Sequence, residues 1–393
     1  MSGAVVPRSF SEAASALAGA AAQGRTVRIV GGGTKLGWGR AKPRPRHSPQ
    51  TELDGSRSGA LRLHTAHLSR LVIADDRESA TINAGTPLAR AQAMCARSGR
   101  MLAIDPQLGL LSAAATIGGV IATADSGPLS HGYGPPRDQI LSITAALSDG
   151  RIVRASTGLD RTEDGFDVAT LFTGAHGTLG LLLAVQVRLR PLPMRTATAL
   201  ASSAEPDRLL AAATLVANRH PELQALDLAW RAGRGGLLAQ LAGEDAEARA
   251  TRVTATMIDA GLELPSVRTD DVELWARQRS GQRSGDRAVL RLHHRPRELA
   301  DVVGLTDQIG GTLVGRAALG ISYLTLDPMQ IGLVRRELPS GTGSVLLDLP
   351  SDAPDDVDPW GAPVSLPLEL MRELKSSFDA AGICNSGIFA SGI

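Results

Sequence analysis

The chain has 393 residues, with 41 Lys+Arg against 40 Asp+Glu and a formal net charge of +1, so bulk charge points to neither nucleic acid nor an anionic membrane. Aromatic residues make up 3%, too few for the stacking platforms of single-strand binders. The two cysteines, Cys95 and Cys384, lie far apart and allow no CxxC metal pair, iron–sulfur ligation run or disulfide framework.

The length suits about two or three domains. No uninterrupted apolar run nears the ~18 residues of a membrane span, and the N-terminus lacks the basic and apolar regions of a signal peptide. A soluble, cytoplasmic protein is expected.

In chain order, residues 9–22 read as a helix, capped by Ser9 or Ser11 and closed by Gly24. Val27, Ile29 and Val30 read as a short buried strand that empties into Gly31, Gly32 and Gly33, followed by Thr34 and Lys35. Glycines let successive N–H groups converge on one point, an anion nest suited to a phosphate or diphosphate. Neither the GxGxxG fingerprint nor the Walker pattern fits, because Leu36 stands at the third glycine position and no Gly-Lys-Ser/Thr closes the loop. A tight glycine turn without a ligand is the competing reading.

Residues 42–59, rich in Pro, Ser, Arg and Gly, read as an exposed connection. Leu63 and residues 68–73 are expected to form one arm of a sheet and residues 79–84 the other. Thr86 and Pro87 then open a helix that ends at Gly99. His64 and His67 read as surface histidines. Two adjacent glycines in Ala115-Thr116-Ile117-Gly118-Gly119 suggest close backbone approach. Residues 140–147 and 151–155, joined by Asp149-Gly150, read as a hairpin, and residues 181–189 as a long strand ending at Pro191.

After Pro193 the texture changes. Residues 223–229, 236–242, 289–292 and 320–326 read as strands, and residues 244–260 and 297–309 as helices. Residues 349–359 read as a loop, and a closing helix starts near Pro367. His293 and His294 are adjacent on a strand and so point to opposite faces, which argues against a metal pair. No metal site is expected.

The ordered motifs Gly-Gly-Gly-Thr-Lys, Asp-Pro, Ala-Thr-Ile-Gly-Gly, Tyr-Gly-x-x-Arg-Asp, Asp-Gly-x-Ile-Val, Gly-Phe-Asp and Gly-Thr-Leu-Gly resemble the FAD-binding domain of the vanillyl-alcohol-oxidase/PCMH superfamily. With the tail Phe378-Asp379-Ala380-Ala381-Gly382-Ile383-Cys384-Asn385, the chain is most similar to the small FAD-binding subunit of bacterial glycolate oxidase.

The resemblance implies an α+β fold. A two-subdomain PCMH-type FAD-binding domain over residues 1–193 would precede a smaller antiparallel α+β cap over residues 194–366, with a closing helix and tail over 367–393. It implies that Gly31, Gly32, Gly33, Thr34 and Lys35 hold the FAD diphosphate. Pro106, Thr116, Ile117, Gly118 and Gly119 would lie along the diphosphate and ribityl chain. Arg137 and Asp138 would sit near the flavin, with Gly177 and Leu182 bordering it. Thr34 stands where covalent members often carry histidine, so non-covalent FAD is implied.

The implied activity is oxidation of a 2-hydroxyacid such as glycolate, with hydride passing to flavin N5. That chemistry asks for a base and a carboxylate-binding cation. His131, His176 and Arg137 are the candidates at the predicted flavin, and Arg291, Arg295 and Arg316 are candidate cap arginines. The alternative is a non-catalytic FAD-holding or electron-relay subunit. The implied partners are a larger FAD subunit and an iron–sulfur subunit. A third reading is an oxidase of a larger alcohol or a sugar. Phe166 replaces the family's tyrosine, His176 precedes Gly-Thr-Leu-Gly, and Ser386 replaces the tail proline; these departures weaken any transfer of catalytic roles.

Overall fold

Ser9 starts the first helix, Phe10–Ala22, its hydroxyl accepting the Glu12 N–H at 3.1 Å. Ala13, Ala14, Leu17 and Ala20 form its buried stripe. The computed structural model describes residues 3–38, 59–108, 114–162, 165–351, 353, 357–361 and 368–393. Most of the expected connection at 42–59, and Pro367, lie outside these.

Three strands, β1 (Ala4–Val5), β2 (Val27–Val30) and β3 (Leu61–His64), form a parallel sheet in the order β1-β3-β2. The next strands are β4 (Leu71–Ile73), β5 (Ser79–Asn83), β6 (Arg100–Met101), β7 (Ile140–Ala146), β8 (Ile152–Ser156), β9 (Leu181–Arg188) and β10 (Arg190–Pro191). Five of them pair antiparallel as β4-β5-β9-β7-β8, while β6 and β10 make a short ribbon.

Leu63 and residues 71–73 therefore belong to different sheets, not to one arm. The turn at 65–68, where the Leu68 N–H bonds the Thr65 carbonyl at 2.8 Å, separates them. Strand β9 is buried on both sides because it is the sandwiched element. Leu182 and Val185 enter one core, and Leu181 and Leu183 enter the core shared with the first helix.

The rest of the chain contributes β11 (Thr196–Ser203), β12 (Ala225–Arg231), β13 (Arg234–Ala242), β14 (Glu263–Arg268), β15 (Ala288–His293), β16 (Thr312–Arg316), β17 (Ile321–Leu326) and β18 (Gly343–Asp348). They form one antiparallel sheet in the order β14-β11-β13-β12-β16-β17-β15-β18. One face is covered by helices. Pro206–Arg219 buries Leu209, Ala212, Ala213 and Val216, at spacings of three and four, and starts with a proline at its first position. Ala246–Asp259 buries Ala250, Val253 and Met257. Each large aliphatic side chain so buried contributes about 1.5–3 kcal/mol.

The other face looks toward the first half of the chain. Register places Arg291 opposite Tyr323, Tyr323 opposite Val314, and Arg316 opposite Asp227. Paired residues share a face, so these side chains line one surface. Trp38, at the end of the glycine loop, packs on it with Val289, Tyr323 and Leu347. In the second half of the chain, helices Pro206–Arg219, Val272–Ser280 and Ile331–Glu337, and strands β11, β14, β16 and β18, stand beyond the sequence reading. Among the described residues no helix is long and apolar enough to cross a membrane.

Candidate cofactor site

Strand β2 delivers the chain to Gly31 in the wall of a cleft. Gly32 has no room for a side chain, since a Cβ there would lie 1.3 Å from the Ala114 carbonyl oxygen. Gly33 takes φ +78, which a side chain would strain. Among the described residues, none of the amides of residues 31–35 donates to a protein acceptor. Residues 31–35 all line this cleft, and five successive amides without a protein acceptor among the described residues fit a polyanionic group such as a diphosphate.

Thr34, Lys35, Thr116, Gly118, Gly119, Gly177, Leu182 and His176 line the same cleft with the three glycines. Thr116 caps the short helix Ile117–Ala122, its hydroxyl accepting the Gly119 N–H at 3.3 Å. Gly118 is a true close approach, because a Cβ would stand 2.6 Å from that of Ala84. Ile117 is 1% exposed and belongs to the core behind the wall. The Lys35 ammonium faces Asp125 at 3.2 Å rather than standing free, and both side chains are buried.

Other expected residues stand elsewhere. Pro106 lines a separate hollow with Asp105, Gln224 and Arg279. Arg137 and Asp138 are exposed and pair with each other at 3.6 Å. His131 sits on the helix Ser130–Tyr133, whose Gly132 N–H bonds the Gln224 carbonyl at 3.1 Å; burial lowers its pKa, and it does not line the cleft.

His176 takes φ +53 and rests against Trp360 and Phe389, with ring centroids at 5.3 and 5.6 Å. Burial, aided by the charge of Arg291, lowers its pKa to about 3, so its imidazole is neutral through the physiological range.

Sequence reasoning did not assign Asn385, Ile388, Arg28 or Phe172 to the cleft, yet all four line it. The tail reaches it by pairing with β2. The Val27 N–H bonds the Ile383 carbonyl at 2.8 Å, and the Asn385 N–H bonds the Val27 carbonyl at 2.9 Å. Lys375 locks this segment, its ammonium meeting Asp379 at 2.6 Å and the carbonyls of Thr178 and Cys384 at 2.7 and 2.8 Å. The family-like tail was a signal for these residues, but spacing alone does not bring position 385 to position 27.

A glycine-loop cleft between two small sheets, faced by a broad antiparallel sheet, is a fold that known structures share. The chain superposes on alkyldihydroxyacetonephosphate synthase with a TM-score of 0.68 at 13% identity, covering 97% of this chain and 75% of that one. This is a likeness of fold.

Residues 1–156 match the family model described as FAD binding domain, so this part of the chain is similar to FAD-binding domains of the PCMH type. The D-lactate dehydrogenase of Archaeoglobus fulgidus is 33% identical over 139 residues, 35% of this chain and 30% of that protein. The glycolate oxidase subunit GlcD of Bacillus subtilis is 36% identical over 86 residues, 22% of this chain and 18% of that protein. The chain spans less than a third of the length of these two relatives.

Proposed function

We propose that this chain is an FAD-dependent oxidoreductase acting on a 2-hydroxyacid such as glycolate or D-lactate, with FAD held non-covalently. The observation that carries the substrate class is Arg291. It stands on the sheet face against which Trp38 packs, its guanidinium 5.9 Å from the indole centroid. Its Nε is buried and has no hydrogen-bond partner.

The other two candidate arginines are engaged. Arg316 is fully buried against Asp227 at 3.2 Å, and Arg295 pairs with Glu298 at 3.4 Å. A guanidinium with an unmet donor beside the cofactor loop is suited to a carboxylate.

In this reading the amides of residues 31–35 bind the diphosphate, and Arg291 orients the hydroxyacid through its carboxylate. Phe172 and Ile388 exclude water from the cleft wall. Bound FAD supplies a two-electron acceptor for the hydride released from Cα. The relatives named as a D-lactate dehydrogenase and a glycolate oxidase subunit support the substrate class.

A second reading is that the chain holds FAD for a partner, such as a larger FAD subunit working with an iron–sulfur subunit, that does the substrate chemistry. One observation favours it. Burial depresses both histidines expected to act as base, His176 to about 3, whereas an effective base has a pKa near the working pH.

Anaerobic titration of the FAD-loaded chain with glycolate and with D-lactate separates the two. Bleaching of the visible flavin band supports a complete site in this chain. A spectrum that stays oxidised with both acids contradicts that reading and favours the holding subunit.

A further inference from the structure

The glycine loop is gripped from its outer side by the second half of the chain. Arg283 lies between the helix Val272–Ser280 and β15. Its guanidinium meets Asp348, the last residue of β18, through two parallel bonds: Nε to Oδ2 at 2.7 Å and Nη2 to Oδ1 at 2.7 Å. Asp348 also accepts the Ser284 N–H at 3.0 Å. Both side chains are largely buried, at 18% and 13% exposure.

Held in this way, Arg283 turns both terminal nitrogens to the Thr34 carbonyl oxygen at 3.3 Å and stacks on Trp38 at 5.3 Å. A second tether runs through Lys35 to Asp125. The carbonyl of the next residue, Ser126, accepts from Arg316 at 3.0 Å and Tyr323 at 3.3 Å, both on the inner face of the broad sheet.

We infer that Arg283 is a positioning residue for FAD binding, acting from the second half of the chain through the Thr34 carbonyl. The inference rests on the FAD reading of the cleft. A trans peptide unit is rigid and planar, with C=O and N–H on opposite sides. Fixing the Thr34 carbonyl outward therefore turns the Lys35 N–H the other way. A glycine-rich loop left free would have to be ordered when cofactor binds, at an entropic cost that the clamp has already met. Retention of FAD is then a property of both halves of the chain.

The test compares the full-length chain with R283M, R283K and R234M, the last breaking an exposed pair with Glu263. FAD affinity is measured by flavin fluorescence, ADP affinity by competition, and apoprotein folding by circular dichroism and thermal midpoint. R283M keeps a stem against Trp38 but has no charge, and is expected to weaken both FAD and ADP by about tenfold or more. R283K is expected to recover part of the loss, since an ammonium still donates to the Thr34 carbonyl, and R234M to match the wild type. A purely structural role would lower the thermal midpoint and leave ADP affinity intact, which overturns the inference. FAD and ADP bound by R283M as tightly as by wild type overturn it while leaving the FAD reading standing. A wild-type chain that binds no FAD overturns both. If R283M does not fold, R283K decides: affinity equal to wild type contradicts the proposal.

Discussion

Asn385 and Ile29, 356 residues apart, meet at the cleft: the Asn385 amide oxygen accepts the Ile29 N–H at 2.9 Å. The amide nitrogen of the same side chain donates to the His176 carbonyl at 2.7 Å. One side chain thus joins the strand that feeds the glycine loop, the segment that enters β9, and the tail. Its backbone sits at φ +43, a conformation that asparagine tolerates better than most residues. Replacing Asn385 with leucine leaves a buried N–H and a buried carbonyl unmet. A loss of about 2–4 kcal/mol is expected, measured by urea unfolding, together with weaker FAD binding. N385D keeps the acceptor for Ile29 and is expected to lose less. Equal stability of N385L and wild type would contradict the role given to the tail.

Two neighbouring glycines are expected to respond differently to alanine. At Gly32 the new Cβ collides with the Ala114 carbonyl, whereas at Gly33 the nearest side-chain atom, on Leu36, is 3.8 Å away. G33A is strained only by its positive φ, at about 1 kcal/mol, and should bind FAD somewhat more weakly. G32A should displace the loop and lose the cofactor. Flavin retained through gel filtration distinguishes them; the reverse order would contradict the loop geometry.

Arg291 is expected to act on substrate and not on cofactor retention. R291M should keep its flavin and raise KM for a 2-hydroxyacid by about 10- to 100-fold, the worth of a charged hydrogen bond. Unchanged steady-state kinetics in an active enzyme would remove Arg291 from the site.

Asp105 predicts a pH dependence. Burial outweighs the pull of Arg279 and Arg316 and holds its carboxyl at about 7, against 3.8 as the ordinary value. Between those values the folded chain keeps a proton that the unfolded chain has released. The stabilisation is full below about pH 4 and is lost as pH rises to about 7. His176, held at about 3 against 6.5, has the opposite sign and costs stability as pH falls below 6.5. D105N should remove a falling slope of about 1.4 kcal/mol per pH unit, so the variant's stability climbs more steeply from pH 5 to 6.5. Denaturant midpoints at several pH values test this; parallel curves for the two proteins would contradict it.

The glycine loop was legible because its signals are local. A β-branched strand feeding three glycines is readable in thirteen residues, and the Gly118-Gly119 pair announced a close approach that Ala84 supplies. Of the residues carried over by resemblance, Thr116 and Gly177 line the cleft, and Arg137 and Asp138 face solvent. The partner of Lys35 lies 90 residues away and that of Arg283 lies 65 residues away. Such pairs follow from which strands and loops become neighbours, as β15 and β18 do, and periodicity carries no trace of that. Strand β14 was illegible for another reason: four of its first residues, from Glu263 to Ser266, are exposed at the sheet edge, so no apolar alternation marks it.

The central claim is that residues 31–35 and the walls around them hold FAD reversibly. Its most direct test is equilibrium titration of the full-length apoprotein with FAD, followed by acid precipitation to see whether the flavin leaves the chain. The account predicts saturable binding of a single FAD, full release on denaturation, and no binding by G32A. A wild-type chain that does not bind FAD, or a G32A chain that binds it equally well, would contradict the account.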